Sequence, residues 1–237
     1  MVIESSTERW PVETAGGFQA VAFDFDGLLF NTEELYQEVG QAILSRRGRN
    51  LCPGLLAVMR GKPNRAALRA MIDWHRLDES VDQLLAETDA LFEPLLATRL
   101  SPMPGATTLL DRLERAGTPR AIVTSGRRGF VLPILARYGW AARFAFVLTA
   151  EDVLLDKPHP EPYLEAARQF GIPPERILVL EDSHHGCAAG VAAGNGVVCV
   201  PSERDAAPPH GVLFVAASLE DRGIVDLLGF LPHVEAA

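Results

Sequence analysis

The chain has 237 residues, 48% hydrophobic and 22% charged, a balance that excludes disordered and membrane-spanning classes and accommodates one large domain or a domain carrying an insert. Its net charge of −9, with no compensating basic block, excludes non-specific binding to nucleic acid or to an anionic membrane. No apolar run approaches the ~20 residues needed to cross a bilayer, so a cytoplasmic protein is expected.

Met1 to Gly17 mixes Glu4, Glu8, Arg9 and Glu13 without a continuous apolar stretch, which predicts a flexible leader and not a targeting segment. Gln19 to Phe23 is a short apolar run that meets acidic residues and Gly27 at once, the pattern of a buried strand ending in a polar turn. Asn31 followed by Glu34 predicts a helix start with a capping box, and a helix from Thr32 towards Arg46. Helical spacing then recurs over Arg65 to His75 and Val81 to Thr98, predicting a small helical module.

Ser101-Pro102-Met103-Pro104-Gly105 punctuates the chain, and beyond it helices alternate with short apolar strands. Helices are predicted at Ala106 to Ala116, Gly129 to Tyr138, Glu161 to Phe170 and Gly186 to Ala193. Strands are predicted at Arg120 to Val123, Phe146 to Leu148, Ile177 to Leu180 and Val197 to Val200. Leu213 to Val215 adds a last strand and Leu219 to Leu228 a last helix. This rhythm implies an α/β fold, a Rossmann-like parallel sheet flanked by helices. The expected domains are a leader (1–17), an α/β core (18–31 and 101–237) and a helical domain (32–100) inserted after the first strand.

Ligands of open α/β sheets collect outside the carboxyl ends of the strands. Asp24 and Asp26 follow the first strand, Thr124, Ser125 and Gly126 the next, Lys157 lies near another, and Glu181 and Asp182 follow a fourth. Residues two apart in extended chain project to one side, so Asp24 and Asp26 can aim two carboxylates into one crevice. Close carboxylates repel unless positive charge lies between them. Mg²⁺ supplies it, favouring a few carboxylates with water and phosphate oxygens, and Asp24 and Asp182 can provide such ligands jointly. Lys157 neutralises the remainder. It and Lys62 are the only lysines, against 20 arginines.

DFDGLLFNTEE from Asp24, TSG from Thr124, DKPHPEPYLEAA from Asp156 and EDSHHGCAAGVAAG from Glu181 resemble, in order, the four motifs of the haloacid dehalogenase-like superfamily, in particular its β-phosphoglucomutase and sugar-phosphatase branch. The resemblance spans roughly Ala20 to Val200. It implies that Asp24 attacks phosphorus and carries a transient aspartyl phosphate, while Asp26 protonates the leaving oxygen and later deprotonates water. It also implies that Mg²⁺ is held by the Asp24 and Asp182 side chains and the Asp26 carbonyl, with Glu181 behind the metal or on it. Thr124 and the N–H groups of Ser125 and Gly126 would bind phosphoryl oxygens, and Lys157 would steady Asp24 and the phosphoryl group. The helical module lies where the family has a cap that closes over the crevice, and the implied substrate is a small phosphorylated molecule; a monomer is expected.

Alone, a DxD after a strand is equally a turn or a calcium site, Thr124 a helix cap and Lys157 a surface lysine; their company gives them weight. Cys52, Cys187 and Cys199 lack the spacing of a zinc or redox site and are expected as reduced thiols. His184 and His185 have no ligating partner at a suitable interval and are expected in a solvated loop. Arg127 and Arg128 either contact a substrate phosphate or sit on an exposed helix turn. Lys62 or Arg65 would bind an anionic group, with a solvated loop as the other reading. Asn31 stands where the resembled family usually has aspartate, which removes one negative charge near the site.

A phosphatase for small monoesters leads the readings. A β-phosphoglucomutase-type mutase comes second, a non-catalytic binding module third, and cleavage of a phosphonate is a minor possibility. Dehalogenation has no leaving oxygen to protonate, so Asp26 argues against it.

Overall fold

Four consecutive apolar residues, Ala20–Phe23, form the first strand, β1, and every one of them is buried. Such a run, with no polar alternation, is what a strand covered on both faces requires. The computed structural model describes residues 17–59, 62, 64–201 and 210–229; the leader expected at residues 1–17 lies almost wholly outside them.

The chain divides into two compact units, residues 1–29 with 103–237 and residues 30–102. The first holds a six-stranded sheet in the order β3-β2-β1-β4-β5-β6, all of whose pairs are parallel. Its strands are β1, β2 (Arg120–Val123), β3 (Val147–Leu148), β4 (Ile177–Glu181), β5 (Gly196–Cys199) and β6 (Phe214–Val215). The connecting helices of this unit are α5 (Ala106–Arg115), α6 (Arg128–Arg137), α7 (Glu161–Phe170), α8 (His184–Ala192) and α9 (Arg222–Leu227). This is the expected α/β architecture. Because the chain runs from β1 outwards to β2 and β3 and then returns beside β1 as β4, the strand order reverses between β1 and β4, where open sheets take their ligands.

Small residues set how closely α8 lies on the sheet. A methyl group on Gly190 would come within 2.9 Å of Val197 Cγ2 and 3.3 Å of Val179 Cγ1. Ala20 and Ala22 share a core cluster with Ala166, Ala167 and Ala189, and their lack of bulk permits close packing of helix on strand. The Ser183 hydroxyl caps α8 by accepting from the Gly186 N–H. The helix therefore begins two residues before the sequence-derived start at Gly186 and includes His184 and His185 in its first turn, correcting their assignment to a loop.

The second unit is helical: α1 (Thr32–Ser45), α2 (Pro53–Met59), α3 (Asn64–His75) and α4 (Val81–Arg99). Packing joins α1 to α4, α2 to α3 and α3 to α4. Tyr36 of α1 stacks on Phe92 of α4 at 4.1 Å, a pairing typically worth about 0.5–1.5 kcal/mol beyond the area it buries. At the end of α1, Arg47 bridges Glu79 at 2.8 Å and Glu87 at 2.7 Å. A reciprocal capping box between Ser80 and Gln83 starts α4. The short α2 is absent from the sequence-derived elements, since seven residues offer too few turns for a periodic pattern to show. No helix among the described residues is long and apolar enough to cross a membrane.

The capping box expected at Asn31 does not form, because the Asn31 side chain makes no bond to the start of α1. Its Oδ1 instead accepts from the Ser101 N–H at 2.8 Å, and its Nδ2 donates to the Arg99 carbonyl at 3.3 Å. The Asn31 N–H also donates to the Ser101 carbonyl at 3.1 Å, beside an antiparallel bridge between Phe30 and Pro102. The entry and exit of the helical unit are thereby tied together. Asn31→Ala is expected to cost about 1 kcal/mol, and Asn31→Asp less, because a carboxylate still accepts from Ser101. Urea unfolding of the two variants checks that order.

Candidate active site

Strand register brings the acidic residues together. Phe23 pairs with Leu180, so Asp24 comes abreast of Glu181, and the Asp24 N–H donates to the Leu180 carbonyl at 3.0 Å. On the other side Phe23 pairs with Ile122, which puts Thr124 one step beyond the neighbouring strand end. Oxygens of Asp24, Glu181 and Asp182 all lie within 4.8 Å of one another.

Lys157 joins these elements. Its ammonium donates to Asp24 Oδ1 at 2.6 Å, Glu181 Oε1 at 2.6 Å and the Val123 carbonyl at 2.7 Å, with its side chain only 5% exposed. Burial alone would lower its pKa, but Asp24 and Glu181 outweigh burial and hold it well above the ordinary lysine value. Lys157 therefore stays charged, as a compact cation between two carboxylates.

Glu181 is completely buried and bound by protein donors. Besides Lys157, its Oε1 accepts from the Tyr163 hydroxyl at 2.8 Å, and its Oε2 accepts from the Ser183 N–H and hydroxyl at 3.2 and 3.1 Å. Both oxygens are thus committed to side chains and backbone. Gly186 makes room for the carboxylate: a Cβ there would fall 1.7 Å from Glu181 Oε1.

The turn after β2 is held by its own hydroxyl groups. Thr124 Oγ1 accepts from the Gly126 N–H at 2.9 Å, and Ser125 Oγ donates to Asp156 Oδ1 at 2.7 Å. Asp156 Oδ1 also accepts from the Lys157 N–H at 2.7 Å, so the turn and the lysine loop share one carboxylate. A Cβ on Gly126 would meet Asp26 Oδ2 at 3.1 Å and Thr124 Oγ1 at 3.2 Å, which places the Asp26 carboxylate beside this turn. Asp24, Asp26, Thr124, Ser125, Gly126, Lys157, Glu181 and Asp182 all belong to the α/β unit and gather where the strand order reverses.

Arg128 is engaged elsewhere. Its guanidinium bonds Asp152 at 2.5 Å, and its N–H donates to the Glu151 carboxylate at 3.1 Å. Those contacts place Arg128 in an ion pair at the start of α6. Lys62 and Arg65 belong to the helical unit and are exposed; Arg65 pairs with Asp82 at 2.7 Å. His184 and His185 take no part in the acidic cluster.

Asp24, Glu181 and Asp182 form a close carboxyl cluster, Asp26 adds its charge beside Asp24, and the Lys157 ammonium bonds Asp24 and Glu181. Burial, reinforced by Glu181 and Asp26 and opposed by Lys157, pushes the Asp24 carboxyl up to about 8. A site with this excess of acid and closely spaced oxygens fits a divalent cation, which would favour the ionised form of Asp24.

Residues 21–200 match the haloacid dehalogenase-like hydrolase family. The chain belongs to this family. It is similar to the mitochondrial (DL)-glycerol-3-phosphatase 1 of Arabidopsis thaliana, with 32% identity covering 80% of this chain but only 66% of the plant protein's length. Hexitol phosphatase A of Escherichia coli strain K12 is 35% identical, over 84% of this chain and 90% of its own length. Among solved structures, a hydrolase of the same family from Deinococcus radiodurans R1, crystallised with bound phosphate and sodium, has 28% identity and a TM-score of 0.73 over 90% of this chain and 97% of its own.

Two parts of this haloacid dehalogenase-like site are absent from the sequence-derived set. Tyr163 reads as a core aromatic on α7, and only its place inside the lysine motif hinted at more. Asp156 and Ser125 are 31 positions apart, and nothing local announces their bond.

Proposed function

We propose that the chain is a Mg²⁺-dependent phosphatase of small phosphate monoesters, with a sugar or polyol phosphate as substrate. The observation that carries this reading is the Asp24–Lys157–Glu181 arrangement at the reversal of strand order, with Asp182 and Asp26 beside it. The names of the glycerol phosphate and hexitol phosphate relatives support the substrate class.

In this reading an Asp24 carboxylate oxygen attacks phosphorus, and the bond from phosphorus to the substrate oxygen breaks as Asp26 gives that oxygen a proton. Asp26, now ionised, then takes a proton from water as the water oxygen attacks the aspartyl phosphate. The bond to Asp24 breaks, and inorganic phosphate leaves with Asp24 regenerated. Lys157 holds Asp24 in position and offers positive charge to the phosphoryl oxygens, which Thr124 and the turn at Ser125 and Gly126 also bind.

Asp24, Asp182 and the Asp26 carbonyl would hold Mg²⁺, which supplies charge stabilisation to the transferring group. Glu181, with both oxygens occupied by Lys157, Tyr163 and Ser183, orients the lysine and the start of α8. The helical unit, residues 30–102, is proposed to act as the cap that restricts the substrate to a small molecule.

Phosphate release from a panel of sugar and polyol phosphates, with Mg²⁺ and with EDTA, tests the proposal. Release that depends on Mg²⁺ is expected. Isomerisation of β-glucose 1-phosphate without net phosphate loss would replace the phosphatase with a mutase, and no Mg²⁺-dependent reaction of either kind would reject both.

A further inference from the structure

Among the described residues, the largest fully buried side chain lies against Lys157 and carries a phenol that donates to Glu181. Tyr163 is 1% exposed, and its hydroxyl donates to Glu181 Oε1 at 2.8 Å, the oxygen that also accepts from Lys157 at 2.6 Å. The Lys157 ammonium stands 5.1 Å from the centre of the Tyr163 ring. Phenol and ammonium thus share one carboxylate oxygen, while the ring supports the ammonium from beside it.

We infer that Tyr163 is a positioning residue that sets how Lys157 divides itself between Glu181 and Asp24, and thereby balances metal binding against phosphoryl binding. This inference rests on the phosphatase reading above. Glu181 Oε1 has two donors. With the phenol in place, part of its negative charge is satisfied without the lysine, leaving Lys157 available to Asp24 and to an incoming phosphoryl group. Without the phenol, Lys157 is drawn towards Glu181, Asp24 is less neutralised, and the local potential becomes more negative. A cation then binds more tightly, and an anionic substrate more weakly.

These opposite signs distinguish positioning from simple damage, because a loosened site would weaken both ligands. Tyr163→Phe keeps the ring and removes only the hydroxyl. Mg²⁺ binding is measured by calorimetry without substrate, and KM and kcat are measured with a phosphate monoester that the parent chain hydrolyses. Relative to the parent chain, Tyr163→Phe is expected to lower the Mg²⁺ dissociation constant about threefold or more and to reduce kcat/KM about tenfold, mainly through KM. Circular dichroism confirms that the variant is folded under the assay conditions, and an unfolded variant is replaced by Tyr163→His, which retains a donor and is expected to remain closer to the parent.

Unchanged or weaker Mg²⁺ binding in a folded Tyr163→Phe, or a loss confined to kcat, would overturn the inference. So would a folded Tyr163→His whose Mg²⁺ affinity and KM are as disturbed as expected for loss of the donor. Failure of the parent chain to release phosphate from any monoester is a different result, since it strikes the phosphatase reading itself.

Discussion

Asp24→Asn is expected to abolish turnover while leaving the protein at least as stable as the parent. The substitution keeps size and shape but removes the carboxylate proposed to attack phosphorus, so in that reading no aspartyl phosphate would form. A loss of ~10⁴-fold or more in kcat/KM, equivalent to about 5.4 kcal/mol of transition-state stabilisation, is the expected scale. Stability should not follow activity, because burial already opposes the ionised form of Asp24 and raises its carboxyl to about 8. Lys157 retains Glu181 and the Val123 carbonyl as partners. Single-turnover phosphate release and calorimetric melting separate the two effects. Near-normal turnover would remove Asp24 as the nucleophile, and loss of turnover through unfolding would reduce it to a structural group.

Gly186→Ala should damage stability and activity together. Its new methyl group would lie 1.7 Å from Glu181 Oε1 and 2.0 Å from the carboxyl carbon, far inside any tolerated contact. Glu181 cannot swing aside cheaply, because Lys157, Tyr163 and Ser183 hold both oxygens in a fully buried position. Either α8 shifts off the sheet or the carboxylate abandons its donors. Disrupting a buried charged network in this way costs about 3–5 kcal/mol, a large part of the stability of a typical domain. Denaturant unfolding provides the measurement. Gly129→Ala is the control, since nothing lies within 4 Å of its added methyl, and a helical alanine there should stabilise by about 0.5–1 kcal/mol.

The alternation of strands and helices was legible because a parallel sheet buried on both faces writes its strands as unbroken apolar runs, as at Ala20–Phe23 and residues 177–180. The acids and hydroxyls of the site were legible because they follow strand ends, and strand register then converts position after a strand into proximity in space; Lys157, nine residues beyond β3, was legible from its motif and from the rarity of lysine. What escaped notice depends on partners distant in the chain. Asn31 before Thr32 and Glu34 satisfies the local grammar of a helix cap, yet its bonds go to Arg99 and Ser101. Tyr163 fits an apolar helix face as well as a catalytic neighbourhood, and only the fold shows its hydroxyl at Glu181. Arg128 follows the turn at Thr124–Gly126, and Asp152 pairs with its guanidinium. Local patterns could raise these residues as candidates without specifying their partners.

The order in which the strands are made has a consequence for biosynthesis. The helical unit is one uninterrupted stretch, complete once Pro102 has been synthesised, whereas β1 emerges before it and pairs with Arg120–Val123 and Ile177–Glu181, made much later. At translation speeds of about 5–20 residues per second, Ala20 precedes its partner Ile177 by roughly 8–30 s. Throughout that interval an apolar strand has at least one edge without its native neighbour, far longer than the microseconds to milliseconds in which local helical structure forms. The central position of β1 therefore makes the nascent chain most prone to aggregation just when its helical part can already be folded, and conditions that slow elongation should lower soluble yield more than the stability of the finished protein would suggest.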